Sequence, residues 1–200
     1  MKTTSKRLGI FGGTFNPPHL GHLVIAEQAR IQADLDRVVF VPAFQPPHKV
    51  GTGIVHPRHR LNMVRLAIRG NRQFSVSDIE IKEQGISYTV RTLELLKAQN
   101  PGAELFLILG SDSLRDFPSW KSPDAIRGLA ELVVYPRRGF ELSGADSRTA
   151  LMLKSPVIGI SSTELRMSII RGESIRYLVP APVEQYIRRH HLYVGPGLKS

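Results

Sequence analysis

The stretch GIFGGTFNPPHLGHL, residues 9–23, decides how the rest of the chain is organised. It starts as a short apolar strand and reaches two glycines, where a backbone can turn tightly or approach a ligand closely. It then passes through two prolines into a helix, and His19 and His22 share one face of the first helical turn. The free N–H groups and the dipole of a helix start favour an anion. The stretch therefore predicts an anion site between a strand end and a helix.

The composition is that of a soluble globular protein, with 42% hydrophobic and 22% charged residues. The length of 200 residues fits a single domain, residues 1–200, with its core at about 7–193. The absence of cysteine excludes disulfides and thiolate metal sites. No apolar run approaches the roughly 20 residues of a membrane span, and the apolar stretch after the basic start is too short for a signal sequence. We expect a cytoplasmic protein that does not bind membranes.

The net charge of +10 allows two classes of protein, a nucleic-acid-binding domain or an enzyme that handles small polyanions. The basic residues are scattered along the sequence, and aromatic residues are not interleaved with arginines as in many nucleic-acid binders. We therefore favour the enzyme and expect no nucleic-acid partner. A basic nucleic-acid-binding domain without catalysis is the remote alternative.

Strand and helix patterns alternate along the whole chain, which favours parallel βαβ units. The predicted fold is α/β: a Rossmann-like parallel sheet with helices on both faces, in a single domain with a short C-terminal helical region. Ligands of such sheets bind beyond the carboxyl ends of the strands, where the strand order reverses. The predicted strands are 7–11, 37–43, 74–81, 104–110, 131–136 and 156–160, and the predicted helices include 20–33, 58–69, 88–100, 122–129, one from Ser162 and one at 182–191.

The histidine pair allows readings other than phosphate binding. Each histidine alone could be a polar residue without a role at a helix start. A zinc site is a second reading, but the sequence lacks H-E-x-x-H and offers no third ligand within the motif. The usual dinucleotide fingerprint and the Walker loop are both missing. An imidazole in this position can donate to phosphate oxygens and bind more strongly as charge builds up in a transition state.

A second motif, GISSTELR at 159–166, also predicts phosphate contacts. Ser162 and Thr163 are expected to cap a helix start, so that their hydroxyls and the free N–H groups hold an anion. Arg166 lies one helical turn further along and would reach the same anion. Together, GGTFNPPHLGH and ISSTELR resemble the signatures of the HxGH nucleotidyltransferase superfamily, which transfers a nucleotidyl group from a nucleoside triphosphate.

Further segments are similar to the bacterial nicotinate-nucleotide adenylyltransferases. This resemblance implies adenylyl transfer from ATP to nicotinate mononucleotide, giving deamido-NAD and pyrophosphate in NAD biosynthesis, by direct in-line attack on the α-phosphate. Mg²⁺ would arrive with ATP, bound largely by phosphates and water. A related transferase that uses nicotinamide mononucleotide or phosphopantetheine is a nearer alternative than the nucleic-acid-binding domain. The sequence does not decide whether the protein forms a homo-oligomer. The segments are PPHK (46–49), SYT (87–89), GSDSLRDFPSW (110–120), GESIRYLVP (172–180) and VEQYI (183–187).

The same resemblance implies roles for individual residues. His19, His22 and Arg166 would be catalytic, and Trp120 would stack on the pyridine ring. Asp112 would accept from a ribose hydroxyl or cap the helix that follows it. Either Arg137 or Arg138 could contact the acceptor phosphate, and we predict Arg138. The expected ATP-binding residues are Gly12, Gly13, Thr14, Phe15, Gly110, Asp112, Ser162 and Thr163, and the expected acceptor-binding residues are Lys49, Tyr88, Thr89, Trp120 and Arg138.

Overall fold

The computed structural model describes residues 5–46, 53–137, 150–154, 156 and 158–194. Six strands form one sheet in the order β3-β2-β1-β4-β5-β6, and every neighbouring pair is parallel. This arrangement confirms the predicted Rossmann-like α/β fold. The strands are β1 (Arg7–Gly13), β2 (Arg37–Pro42), β3 (Phe74–Val76), β4 (Glu104–Gly110), β5 (Ala130–Tyr135) and β6 (Leu151–Met152).

Eight α-helices within the described residues connect and cover these strands. After β4 the chain forms a short α-helix and then a 3₁₀ turn at Phe117–Ser119, because Pro118 removes a backbone donor there. The helices are α1 (Leu20–Gln32), α2 (Pro57–Ala67), α3 (Ile79–Glu83), α4 (Thr89–Gln99), α5 (Ser111–Asp116), α6 (Pro123–Leu129), α7 (Ser162–Ile170) and α8 (Ala181–Arg189).

Strand β4 shows why the sheet is buried on both faces. Successive side chains of a strand point to opposite faces, so an apolar run fills two cores at once. Leu105, Leu107 and Leu109 pack into the core that α4 and α6 cover, whereas Phe106 and Ile108 pack into the core that α1 and α2 cover. The hydrophobic stretch at 104–110 is therefore the centre of the molecule.

A third, smaller core joins the C-terminal helices to α2. Leu165 of α7 and Val183 and Ile187 of α8 pack there against Met63 of α2. Because α2 also packs on the sheet, this cluster fixes the C-terminal helices beside the carboxyl ends of the strands. None of the helices in the described ranges is long and apolar enough to cross a membrane.

Two strand predictions are wrong in part. The alternating stretch 74–81 forms only the short strand β3, and then α3 begins, because Ser77 accepts the backbone N–H of Ile79 and turns the chain. The strand predicted at 156–160 is absent from the described residues of that range. The edge of β5 is paired instead by β6, at residues 151 and 152, and Pro156 lacks the N–H that a paired strand needs.

Candidate active site

Two adjoining cavities open at the carboxyl ends of β1 and β4, where the strand order reverses. One is a cavity of about 520 Å³ that reaches Trp120 and the start of α4, and we call it the apolar cavity. The other, of about 660 Å³, contains both histidines and is called the polar cavity. The two share a wall that includes the glycine turn after β1. Residues lining both are Phe11, Gly12, Gly13, Thr14, Ser113 and Tyr135.

The structure brings most of the predicted residues to this crevice. Lys49 and Arg138, both predicted to bind the acceptor, lie outside the described residues. The polar cavity is lined by Gly12, Gly13, Thr14, Phe15, His19, His22, Asp112, Ser162, Thr163 and Arg166, and the apolar cavity by Gly12, Gly13, Thr14, Tyr88, Thr89, Gly110 and Trp120.

The two histidines are stacked at the start of α1. His19 is the N-cap residue, and its backbone N–H donates to Nδ1 of His22 at 3.1 Å. The ring centroids are 3.7 Å apart. Because Nδ1 of His22 accepts a hydrogen bond, the neutral ring carries its proton on Nε2. The hydrogen bond from the backbone N–H of His19 thus fixes the tautomer of the neutral His22 ring.

His19 is buried, with 5% of its surface exposed. Burial, together with the nearby guanidinium of Arg137, lowers the pKa of His19 to about 4. Its Nδ1 has no hydrogen-bond partner among the described residues. At neutral pH the ring is uncharged, and it presents a buried polar atom that a ligand in the polar cavity can satisfy.

Phe15 packs against the histidine pair. It has a φ of 49°, and its buried ring packs edge-on against His22 with 5.0 Å between centroids. A Cβ on Gly13 would lie 3.0 Å from the Phe15 ring, so a side chain there would press on this ring. The resemblance implied that Phe15 binds ATP, and its side chain has this additional packing contact with His22.

Asn16 connects the glycine turn to the C-terminal region. It is 3% exposed, and its Nδ2 donates to the carbonyl of Gly53 at 2.8 Å. Its Oδ1 accepts from the backbone N–H of Val55 at 3.2 Å and from the hydroxyl of Tyr193 at 2.9 Å. Its backbone carbonyl accepts from the guanidinium of Arg166 at 2.9 Å. One buried residue therefore aligns Arg166 with the histidine motif.

The serines at 161 and 162 have different roles from those that the sequence suggested. Ser161 caps α7 by accepting the backbone N–H of Glu164 at 3.1 Å. Ser162 does not cap the helix, and its hydroxyl donates to the carbonyl of Pro17 at 2.9 Å. With Thr163, both line the polar cavity. The cap is thus Ser161, one residue before the predicted one. ISST contains three adjacent hydroxyl residues, and the sequence alone cannot decide which of them caps the helix.

An ion pair lines the polar cavity together with the histidines. Arg137 donates from a guanidinium nitrogen to Oδ2 of Asp112 at 2.8 Å, and its backbone N–H donates to the hydroxyl of Ser111 at 2.9 Å. Oδ1 of Asp112 is buried without a hydrogen-bond partner in the described part of the chain. A Cβ on Gly110 would collide with that oxygen, which explains the glycine before α5. Arg137, one of the two candidate arginines, lines the polar cavity, and Arg138 lies outside the described residues.

Arg60 is a residue that sequence reasoning missed. It is fully buried and donates to three backbone carbonyls, those of Thr14 at 2.9 Å, Phe44 at 3.0 Å and Val55 at 3.1 Å. These bonds hold the loops that follow β1 and β2 against α2. A single arginine in a helical pattern is usually a solvated charge, so the sequence carried no signal for this role.

The described residues contain no group of three or more histidine, aspartate or glutamate side chains that could hold a metal ion. Asp112 is the one carboxylate lining the polar cavity within the described ranges, and one of its oxygens is already paired with Arg137. A divalent cation here would need most of its ligands from a bound phosphate chain and from water.

The lowered pKa of His19 has a consequence for stability. The unfolded chain binds this proton near the ordinary pKa of 6.5, but the folded protein binds it only near 4, so the free energy of unfolding should fall as the pH drops from 6.5 to 4. We expect His19 to account for about 3 kcal/mol of this fall. Urea unfolding at pH 7 and pH 4.5 should show a smaller fall for His19→Gln than for the wild type. The matched variant His191→Asn, at an exposed histidine, should behave like the wild type. Equal falls in the wild type and His19→Gln would show that His19 is not held neutral.

Comparisons with known proteins show the family of this chain. The family model described as cytidylyltransferase-like matches residues 10–168. A relative from Thermomicrobium roseum, named "Probable nicotinate-nucleotide adenylyltransferase", is 43% identical over 195 residues, which cover 94% of this chain and 91% of the relative. A relative from Salinibacter ruber with the same name is 45% identical over 189 residues, covering 93% and 97% of the two chains.

A solved structure shares the fold at much lower identity. The nicotinic acid mononucleotide adenylyltransferase of Plasmodium falciparum, complexed with NaAD, is 20% identical and superimposes with a TM-score of 0.80, covering 94% of this chain and 97% of that one. At this identity the likeness concerns the fold alone. The curated relatives are closer, and they confirm the resemblance carried by the sequence motifs. The chain belongs to the cytidylyltransferase-like family and, within it, to the nicotinate-nucleotide adenylyltransferases.

Proposed function

We propose that this chain transfers the adenylyl group of ATP to nicotinate mononucleotide, releasing pyrophosphate and forming deamido-NAD, and that the residues of the two cavities carry out the transfer. The observation that supports this most is the shared wall, because it joins a cavity with histidines and arginines to one with aromatic side chains. A triphosphate fits the first and a pyridine nucleotide fits the second. Their phosphates would then meet at the glycine turn.

On the phosphate side, the chain neutralises charge rather than forming a covalent intermediate. Arg166 and Arg137 line the polar cavity together with the imidazoles of His19 and His22. Charge that develops on the phosphate oxygens during transfer is stabilised by donors already fixed in position. The His22 tautomer set by its cap leaves Nε2–H as the donor.

Mg²⁺ fits this site as a partner of the triphosphate. The unpaired Oδ1 of Asp112 is the one carboxylate oxygen that the described residues could add to its shell, directly or through water. The ion would supply further neutralisation of the phosphates.

On the acceptor side, Trp120 and Tyr88 offer flat surfaces to a pyridine ring. Trp120 is half-buried and packs on Phe117 with 5.4 Å between centroids, which limits its motion. The absence of a side chain at Gly12 and Gly13 lets the acceptor phosphate approach the α-phosphorus closely. Proximity and alignment of two bound reactants supply much of the rate enhancement of such transfers.

The proposed function is tested by pyrophosphate release from ATP and Mg²⁺ with each acceptor offered separately. We expect turnover with nicotinate mononucleotide to exceed turnover with nicotinamide mononucleotide and with phosphopantetheine. A preference for another acceptor would retain adenylyl transfer and overturn the assignment of the apolar cavity. No release with any of the three would contradict the proposed activity itself.

His22→Ala should lower kcat by about 10²- to 10³-fold, the range for loss of one donor to a transition state. His190→Ala is the matched control, since His190 lies at the end of α8 and lines neither cavity. Steady-state pyrophosphate release measures both variants. If His22→Ala turned over at the wild-type rate, His22 would have no part in the chemistry.

Gly21→Ala should lower kcat by about ten- to a hundredfold because it disturbs the ring of His19. A Cβ on Gly21 would lie 3.0 Å from Nδ1 and 3.1 Å from Cε1 of that ring. Alanine favours a helix more than glycine does, so the fold should persist. Gly128→Ala in α6, where a Cβ meets open space, is the control and should keep the wild-type rate. Unchanged kcat in Gly21→Ala would show that the glycine is not needed to seat His19.

A further inference from the structure

We propose that Tyr193 is a positioning residue for adenylyl transfer, because its hydroxyl holds Asn16 in place and Asn16 in turn holds the guanidinium of Arg166 at the polar cavity. The inference rests on the proposed function, since it concerns the geometry of the same site. Tyr193 lines neither cavity, so it can act on a bound nucleotide only through its neighbours. The motifs that predicted the site do not include this tyrosine.

The hydroxyl of Tyr193 is the first observation. Tyr193 is 2% exposed and belongs to the third core, together with Met63 of α2 and Val183 of α8. A phenylalanine would fill this apolar core as well, whereas a buried hydroxyl is costly unless it is paired. The hydroxyl of Tyr193 donates to Oδ1 of Asn16 at 2.9 Å. It therefore supplies a specific contact in addition to packing.

The backbone at Tyr193 is the second observation. Its φ of 65° lies in the left-handed region, which a bulky aromatic residue rarely adopts. His191 has a φ of 50° for an ordinary reason, because it follows the last turn of α8 and the next N–H, that of Leu192, donates to the carbonyl of Ile187 at 3.0 Å. Tyr193 lies beyond that helix end. Strained backbone persists only where surrounding contacts require it, and here these contacts are the buried ring and the bond to Asn16.

The surroundings of the hydroxyl keep it a donor. The guanidinium groups of Arg166 and Arg60 lower the pKa of Tyr193, but burial raises this pKa more strongly. The phenol consequently stays protonated well above neutral pH. It can donate to the amide oxygen of Asn16 whether the histidines of the site are charged or neutral.

Asn16 passes this constraint to Arg166. The guanidinium of Arg166 donates from one nitrogen to the backbone carbonyl of Asn16 at 2.9 Å and from another to the hydroxyl of Thr163 at 3.2 Å. A guanidinium has five N–H donors, so others can bind a phosphate in the polar cavity. Without the bond from Tyr193, the carbonyl that orients Arg166 would be held less firmly. A misplacement of about 1 Å at a group that positions a reactant can cost about a hundredfold in rate.

The test removes the hydroxyl and keeps the ring. Tyr193→Phe is compared with Tyr186→Phe, a matched control on α8 that lines neither cavity. The hydroxyl lost in the control lies 2.9 Å from Nδ1 of His59 and accepts from the side-chain amide of Asn62 at 3.2 Å. Each variant is also made in an Arg166→Ala background. Steady-state pyrophosphate release gives kcat and the KM of each substrate, calorimetry gives the affinity for ATP without acceptor, and urea unfolding gives the stability.

Tyr193→Phe should lower kcat about tenfold and weaken ATP binding about threefold. The KM of the acceptor should stay unchanged, because Arg166 lines the polar cavity and not the apolar one. Tyr186→Phe also breaks hydrogen bonds and should lower the stability, but it should keep the wild-type kcat and ATP affinity. In the Arg166→Ala background, Tyr193→Phe should weaken ATP binding no further, since the effects of coupled residues do not add.

Three results would overturn the inference: an unchanged kcat and ATP affinity in Tyr193→Phe, an equal loss of both in Tyr186→Phe, or a full further loss of ATP affinity when Tyr193→Phe is added to Arg166→Ala. Failure of the wild type to release pyrophosphate with any acceptor would instead contradict the proposed function. The calorimetric comparison needs no acceptor, so it would still decide whether Tyr193 acts through Arg166.

Discussion

The hydrogen bonds of buried Asn16 are the constraint on which the site depends. This residue follows the glycine turn and receives or donates bonds at its amide oxygen, amide nitrogen and backbone carbonyl. A buried amide left with unpaired atoms would cost about 1–3 kcal/mol for each lost partner. These four bonds fix three separate parts of the chain relative to one another: the turn after β1, the segment before α2, and the C-terminal region with Arg166 and Tyr193.

The site therefore combines rigid support with a few polar atoms that have no partner within the described residues. Nδ1 of His19 and Oδ1 of Asp112 are both buried and unpaired there, and both belong to residues of the polar cavity. Most buried polar groups in proteins are satisfied by protein or ordered water, so these two atoms are available to a ligand or to water. Arg60, in contrast, has all its bonds made by backbone carbonyls and works as a brace.

Much of this arrangement could be predicted from sequence, because its signals are local. Alternating strand and helix patterns gave the sheet, and the glycines with His19 and His22 marked the strand end where ligands bind. The errors arose where tertiary contacts decide. The alternating apolar pattern at 74–81 predicted one strand, but its second half is helical. The apolar run at 156–160 predicted an edge strand, but β6 already pairs with that edge of β5. The role of Arg60 depends on neighbours remote in sequence, the backbone carbonyls of Thr14 and Phe44, which no local pattern reports.

The bond between Tyr193 and Asn16 joins residues 177 positions apart. The chain emerges from the ribosome with its amino end first. The glycine turn and both histidines are therefore exposed long before Tyr193, whose hydroxyl bonds to the neighbouring Asn16. The sheet can assemble around β1 and β4 in the meantime, but Asn16 has all its partners only when the segment after α8 has docked. The site therefore reaches its final geometry only after the segment that follows α8 has been synthesised and has docked against Asn16.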